Sequence, residues 1–504
     1  MTWWRSLWMA VLSAAVFTCL AGHALEAPGL YYDEVHQVPA SFAWLGRKTP
    51  HFSLALIGGV PWLTTTYSAA IKSALFATFL KVTGAEFSVA AWRWFGITLV
   101  VVGWIWCCAA VGARFGPVGQ LAFAALLLTD TTVLLTTRHD WGPTAMALLF
   151  RCGFLAIWLR ADRPSRWAAF ALGCIAGLSL FEKLSSIVLL APLAFTLWGL
   201  PRRNVALGLL GLGLGSLPLA VVNLTTVSSG EGLISLSNLI DTHPVSWLRF
   251  GQDFLSLGQG DWVRYWVLEL PLRRPFVWGE LGLMTALVAL GCAQRESRRF
   301  MASYLAIGLA LSMLPRRTEA HHWIIGTPFH YAAIATLVVR PGRFRVPARV
   351  LLLLLLLLRL PVVSDTARAI AAARTAPRFD PAQTRVAQFL AAQTDALVVA
   401  STWGIANQIM CFAQGRRDAV YEPIYEEREV EAFEQTLART DRSTLYVAVM
   451  PRVAHLFPTR TARVTAAIER DSRWREVDVE AEIRESPAVR VRKFVSGPDG
   501  NAAR

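Results

Sequence analysis

Long apolar runs broken by short arginine-bearing turns set the pattern of this chain. Runs approaching the ~20 residues that cross a bilayer as a helix are read at 7–20, 92–112, 117–136, 143–159, 167–180, 185–200 and 205–222. A long polar loop follows, and then further runs at 276–292, 300–314, 324–339 and 350–363. The pattern predicts a polytopic α-helical membrane protein with about eleven spans. Several runs are short for a bilayer, and flanking Arg and Lys side chains extend them by reaching to the interface. Leu7–Leu20, preceded by Arg5 and followed by Ala21-Gly22-His23-Ala24, reads as an uncleaved first span; a cleaved signal peptide is the alternative.

The turns between runs alternate in character. Arg114, then Arg160, Arg163 and Arg166, then Arg202 and Arg203, then Arg295, Arg298 and Arg299, then Arg340, Arg343, Arg345 and Arg349 fall in alternate, short turns. The positive-inside rule assigns those turns, and the N-terminus, to the cytoplasm. The remaining set shares the opposite, extracytoplasmic face: the loop holding Asp33, the Arg138-His139-Asp140 turn, residues 223–275 and residues 315–323. Within the first loop, Tyr67–Val82 carries Lys72 and Lys81 on an apolar helical pattern. It suits an amphipathic helix lying on the membrane, with a short extra span as the competing reading. Gly211, Gly213 and Gly215 echo a phosphate loop, but they lie inside an apolar helix with no preceding strand, so close helix packing is expected there.

From about Ser364 the chain turns polar. Helical patterns at 384–392, 403–412 and 460–468 alternate with strand-like ones at 396–400, 444–449 and 489–495. The expected division is a transmembrane domain over 1–363, including the loop 25–91, and an extracytoplasmic α/β domain over 364–504. Ser401-Thr402-Trp403-Gly404, at a strand-to-helix junction, reads as a helix start, with ligand binding as the alternative.

Composition agrees: 54% of residues are hydrophobic. The net charge of +14 comes largely from arginines clustered between apolar runs, so no nucleic-acid partner is expected. Of seven cysteines, only Cys411 lies in the polar C-terminal part, and no disulfide framework or zinc spacing emerges.

Candidate chemistry gathers on the extracytoplasmic set. Tyr31-Tyr32-Asp33-Glu34 follows the first span, and two adjacent carboxylates at a membrane surface point to proton chemistry; a solvated helix start is the plainer reading. Asp33 is the candidate general base, with Glu34 and Asp140 orienting it or positioning an acceptor. Asp140 alternatively is an ordinary interfacial residue before the Pro143 helix start. Cations on the same face suit a phosphate: Arg138, Lys183, Arg264, Arg273, Arg274, Arg316 and Arg317, with His139, His321 and His322 nearby. For any single one, anchoring a span or touching lipid headgroups competes, and Lys183 has Glu182 as a neighbouring partner.

The Asp33-Glu34 pair after the first span, the Arg138-His139-Asp140-Trp141-Gly142-Pro143 turn, surface helices in the first loop, Lys183 and a polar tail resemble the C-type superfamily of integral-membrane glycosyltransferases. The nearest likeness is to bacterial relatives of protein O-mannosyltransferases and aminoarabinose-lipid A transferases. That resemblance implies a bacterial inner-membrane enzyme with a polyprenyl-phosphate sugar donor and a lipid, glycan or protein acceptor. It further implies inversion at the anomeric carbon, with Asp33 deprotonating or orienting the acceptor and Asp140 on the acceptor side. Arg316, Arg317, His321 and His322 stand where relatives carry a different Arg-Tyr-type segment, and are carried over as donor-phosphate contacts. Family members differ in their use of a divalent cation, and no compact metal-ligand motif is present here. Two rivals remain: a lipid-linked sugar transporter, which predicts paired ionisable groups deep in the spans, and a non-enzymatic membrane partner.

Overall fold

The computed structural model of the chain describes residues 3–47, 54–141, 144–160, 164–230, 232–236, 244, 246–258, 261–270, 274–314, 320–416, 420–424, 427–451, 456–480, 483 and 488–497. Two compact units emerge: Met1–Leu25 with Thr65–Ala69 and Trp92–Arg374, and Glu26–Thr64 with Ala70–Ala91 and Thr375–Arg504. The first loop is thus divided, and most of it belongs with the C-terminal residues.

In chain order the N-terminal half runs through α1 (Trp3–Gly22), α2 (Tyr32–Val35), α3 (Val38–Trp44), β1 (Leu54–Ile57), β2 (Val60–Thr65), β3 (Ser68–Ala69), α4 (Ile71–Thr83), α5 (Val89–Leu128) and α6 (Thr131–His139). Next come α7 (Thr144–Leu159), α8 (Arg166–Glu182), a 3-10 turn (Leu184–Leu189), α9 (Leu190–Leu197) and α10 (Arg202–Ser228). The long polar loop holds α11 (Trp247–Gly258) and α12 (Asp261–Leu268), and the bundle closes with α13 (Arg274–Ala293), α14 (Arg295–Ser312), a 3-10 turn (Ala320–Ile325), α15 (Thr327–Val339) and α16 (Arg345–Ala371).

Among the described residues five helices are long and apolar enough to cross a membrane: α1, α5, α10, α13 and α16. The other expected spans fall on shorter helices such as α7 and α15. At 1.5 Å per residue, the 13 residues of α15 rise about 20 Å, less than the ~30 Å hydrocarbon core. Two details depart from the expected runs. The run 117–136 is interrupted at Asp130, whose side chain accepts from the Thr132 and Val133 amides (2.9 and 3.0 Å) and starts α6 anew. Helix α16 continues past 363 to Ala371, so the composition shift near 364 falls inside a helix.

Helix α1 is built into the bundle through Ala10, Ala14, Phe17 and Ala21. Trp104 stacks near Phe17 at 4.7 Å and donates to Ser13 Oγ at 3.0 Å. The tightest pair is α8 with α10. A Cβ added at Gly211 would lie 2.1 Å from Phe170 O, and one at Gly215 would lie 2.3 Å from Cys174 O, so backbones touch backbones. Gly213 has nothing within 4 Å; it lies off the packed face. Close packing is therefore the role of Gly211 and Gly215.

The second unit contains α17 (Pro381–Ala392), β4 (Ala396–Ala400), α18 (Ile405–Ala413), β5 (Val420–Tyr421), α19 (Glu427–Arg439), β6 (Thr444–Val449), α20 (Pro458–Arg470), β7 (Trp474–Val477) and β8 (Arg490–Ser496). Its sheet has the order β5-β4-β6-β8-β7, with β4 parallel to β5 and β6, and β8 antiparallel to β6 and β7. Alternation along β4 explains the layers. Val398 and Ala400 face Val386, Leu390 and Ile409 of α17 and α18, while Leu397 and Val399 face Val430, Phe433, Val464 and Ile468 of α19 and α20. Helix α19 and strands β5 and β7 add to the elements expected from the sequence. So does the β1–β2 hairpin, turned by Gly58 and Gly59 at φ 62° and 81°.

Candidate functional site

The Asp33-Glu34 stretch forms the single turn α2. Carbonyl Tyr31 O accepts from the Glu34 and Val35 amides at 3.1 and 3.2 Å. The two acids part company at once: Asp33 is half-buried, whereas Glu34 is only 1% exposed. Glu34 points toward α18, where Cys411 donates to Val35 O at 3.9 Å. Burial, with the Glu34 charge adding to it, pushes the Cys411 thiol well above its ordinary range.

The whole turn is fastened to the C-terminal residues of its own unit. Gly29 N donates to Phe379 O at 2.6 Å, Leu30 N to Thr384 Oγ1 at 3.0 Å, and the Tyr31 ring lies tilted 5.2 Å from Phe379. Further on, Arg47 donates to Gln414 O at 3.1 Å, Phe87 N donates to Gln414 Oε1 at 3.2 Å, and Arg416 pairs with Glu86. Helix α3 packs on α4, which begins with a fully buried Lys72, and Ser73 Oγ reaches Gln37 O at 2.7 Å. The stretch 401–404 is engaged internally. Thr402 Oγ1 accepts from Met450 N at 2.7 Å, Ser401 O accepts from Thr461 Oγ1 at 2.7 Å, and Gly404 N donates to Glu422 Oε1 at 2.9 Å.

In the helical unit, α6 ends on the second expected acid. Asp140 is buried in the left-handed region at φ 45°, ψ 45°, and its Oδ1 accepts from Ala145 N at 2.7 Å. It thus closes α6 and opens α7; short polar Asp tolerates that backbone better than most residues. Arg138, two residues earlier, donates to Ala21 O and Ala24 O at 2.7 and 2.6 Å and to His23 O. Arg93 donates to Leu25 O beside them. Two guanidinium groups therefore terminate α1, where exposed carbonyls and the negative end of the helix dipole favour cations. Arg264 pairs with Asp365 at 2.8 Å.

Trp141 adds an aromatic face beside Asp140. Its ring lies 5.9 Å from Trp262 in a stacked arrangement, and Trp266 lies 5.0 Å from Trp262. Helix α12, which supplies both, packs on α6, as does the 3-10 turn carrying His321 and His322. The structure thus gathers the α6 end, α12 and the 320–325 turn. Arg273, Arg316 and Arg317 lie outside the described residues. Lys183 sits at another junction. It ends α8 in extended conformation, is 5% exposed, and bridges Ser68 of β3. Around it, Ser68 Oγ donates to Glu182 O at 3.2 Å, and buried Arg151 donates to Ser186 Oγ at 2.6 Å. Among the described residues no three His, Cys, Asp or Glu side chains gather to hold a metal ion.

Sequence reasoning missed a second ionisable cluster inside the bundle. Arg359 of α16 donates to Glu280 Oε1 of α13 at 2.7 Å and to Tyr331 OH of α15 at 3.0 Å, and Tyr331 OH donates to Asp130 Oδ2 at 2.6 Å. Asp130 caps α6, so three helices, α13, α15 and α16, converge on the helix that ends at Asp140. His330 stacks on Tyr304 at 4.3 Å next to it. Single charged residues in apolar runs were the available signal.

This chain is similar in structure to ArnT from Cupriavidus metallidurans bound to undecaprenyl phosphate, with TM-score 0.61 and 13% identity over 96% of this chain and 97% of that one. It is also similar to the arabinofuranosyltransferase AftD from mycobacteria, with TM-score 0.52 and 15% identity, covering 99% of this chain and 42% of that one. The fold is shared with these two solved structures. At these identities the likeness is one of fold; the chain spans about two fifths of AftD and nearly all of ArnT. No family model matches the sequence, and no curated protein matches it.

Proposed function

We infer that the chain is an inverting glycosyltransferase of a bacterial inner membrane, taking its sugar from a polyprenyl phosphate and passing it to an extracytoplasmic lipid, glycan or protein hydroxyl. The observation that carries this reading is the full-length structural likeness to ArnT, a protein solved with undecaprenyl phosphate bound. In the proposed step Asp33 takes the acceptor hydroxyl proton as the oxygen attacks the anomeric carbon. The bond from that carbon to the phosphate oxygen breaks, its electron pair stays on the phosphate, and the polyprenyl phosphate leaves. The half-buried Asp33 suits this role better than Glu34, whose burial suits it to anchoring the α2 turn. Asp140 fixes the α6–α7 corner on the acceptor side, and the Trp141, Trp262 and Trp266 faces offer a platform for a sugar ring. Lys183, His322, His321, Arg316 and Arg317 are the proposed contacts to donor phosphate, with His139 beside them. Arg138 enters indirectly, by terminating α1. The orientation follows the arginine turns: N-terminus in the cytoplasm, sheet unit in the periplasm.

Glu280 and Arg359, paired within the apolar helices, are what a lipid-linked sugar transporter would carry. Transfer is separated from transport by incubating the purified chain in detergent micelles, where no compartment exists, with radiolabelled polyprenyl-phosphate sugars and acceptor-containing membrane extract. Release of polyprenyl phosphate with label in the acceptor supports the transferase. Intact donor throughout, with donor movement across proteoliposomes, supports the transporter.

A further inference from the structure

At the end of the bundle carrying the arginine turns, a cavity of about 230 Å3 opens between helices of the first unit. Arg114 lines it from the last turn before α5 breaks at Gly116 (φ 74°), Arg295 and Arg299 from the first turns of α14, and Arg340 from the residue after α15. Aromatic rings form its wall: Trp158 lies 4.8 Å from Phe300, and Phe300 lies 6.4 Å from Phe115. Glu296 is the one acid among the described lining residues.

Other arginines at this end cap helices in the ordinary way. Arg349 Nε donates to Val338 O at 2.8 Å, and Arg298 Nε to Cys292 O at 2.9 Å. Of the cavity arginines, Arg295 and Arg299 are exposed at the cavity mouth. Among the described residues the guanidinium groups of Arg295 and Arg299 have no hydrogen-bond or ion-pair partner, and the buried Nε of Arg340 has none either. Arg114 and Arg340 line the same cavity. The positive-inside rule asks for arginines at this face, but it does not ask them to converge on one aromatic-walled cavity. Arg295, Arg299 and Arg340, with one carboxylate among the described lining residues, leave an excess of donors that suits an anion, and the ring wall offers apolar surface to what the anion is attached to.

We propose that this cavity binds the phosphate of an anionic glycerophospholipid headgroup, at the end of the bundle that carries the arginine turns. The space is several times the ~30 Å3 of a water, which suits a phosphate. The site sits at the end of the apolar helices, where a lipid bears that group.

The test is native mass spectrometry of the full chain from nanodiscs of mixed phosphatidylglycerol and phosphatidylcholine. It compares the unaltered protein with Arg295→Ala/Arg299→Ala and with Arg202→Ala/Arg203→Ala. The second pair removes the same charge from the same set of turns, at positions exposed like the cavity pair but outside the cavity. The unaltered protein retains phosphatidylglycerol in preference. The cavity pair weakens that retention roughly thirtyfold, from about fivefold per arginine near an anionic surface, and the Arg202/Arg203 pair leaves it in place. Equal loss in both pairs, or no preference in the unaltered protein, overturns the proposal. So does a thermal shift with inorganic phosphate in lipid-free detergent that only the cavity pair abolishes, since it would name a soluble phosphate as the occupant. None of these readouts depends on sugar transfer, so the two readings stand or fall separately.

Discussion

Replacing Arg359 by Met removes the cation that joins α16 to α13 and α15. Arg359 is 4% exposed and Glu280 6%, and their 2.7 Å contact is made in a low-dielectric bundle. Removing one partner of such a buried pair costs about 3–5 kcal/mol, chiefly because a charge stays behind in apolar surroundings. Glu280→Leu is expected to cost less, about 2–3 kcal/mol, because Arg359 keeps its contact with Tyr331, which in turn holds Asp130. The double variant Glu280→Leu/Arg359→Met strands neither charge. It loses mainly the Tyr331 contact, about 1 kcal/mol, giving a coupling of about 4–7 kcal/mol in magnitude. Equilibrium unfolding of the full chain in mixed micelles, with the four proteins forming a closed cycle, measures it. Single costs below about 1 kcal/mol that simply add would refute the claim that this network is a buried, mutually dependent unit.

Three further outcomes follow from the same packing. Gly211→Ala drives a Cβ into Phe170 O and should cost about 1–3 kcal/mol, whereas Gly213→Ala, with open space around it, should be neutral or stabilise α10 by up to about 1 kcal/mol; unfolding midpoints of the two variants decide it. Arg138→Gln strips three carbonyl contacts from the end of α1 and should cost roughly 2–4 kcal/mol, read by the same unfolding measurement. In the sheet unit, hydrogen bonds from Arg473 and Arg492 hold Asp471 and Glu476 below the usual carboxylate range. Depressed folded values mean stabilisation that is present above the ordinary range near 4 and lost as pH falls through the lower folded values. Hydrogen-exchange protection of β7 and β8, corrected for intrinsic rates, should therefore decline below about pH 4, and an unchanged profile would contradict these pairings.

Much of this was legible in the residues because helices in a membrane announce themselves by apolar length, and the expected runs fall on helices. The C-type resemblance rested on Asp33-Glu34 and the Asp140 turn, and the fold agrees with it. What stayed hidden has physical reasons. Asp130 was passed over because one acid in an apolar run shifts its mean polarity little, although an Asp followed by two Thr is a cap signal. Gly58-Gly59 between apolar residues likewise signals a hairpin that was not read. Nothing local links Glu280 to Arg359, or Gly29 and Leu30 to Phe379 and Thr384, since these pairs are made by tertiary packing across long separations. The separate environments of Asp33 and Glu34 were equally beyond a sequence reading: only the packing of α2 shows which carboxylate is buried.

The most direct test of the central claim is donor turnover by the purified full chain in lipid, with a panel of polyprenyl-phosphate sugars and acceptor-containing membrane extract, comparing unaltered protein with Asp33→Asn. The account predicts that Asp33→Asn still folds and binds donor while its turnover falls by about two to four orders of magnitude, the usual worth of a general base. Undiminished turnover in Asp33→Asn, or no turnover of any donor by the unaltered protein, would contradict it.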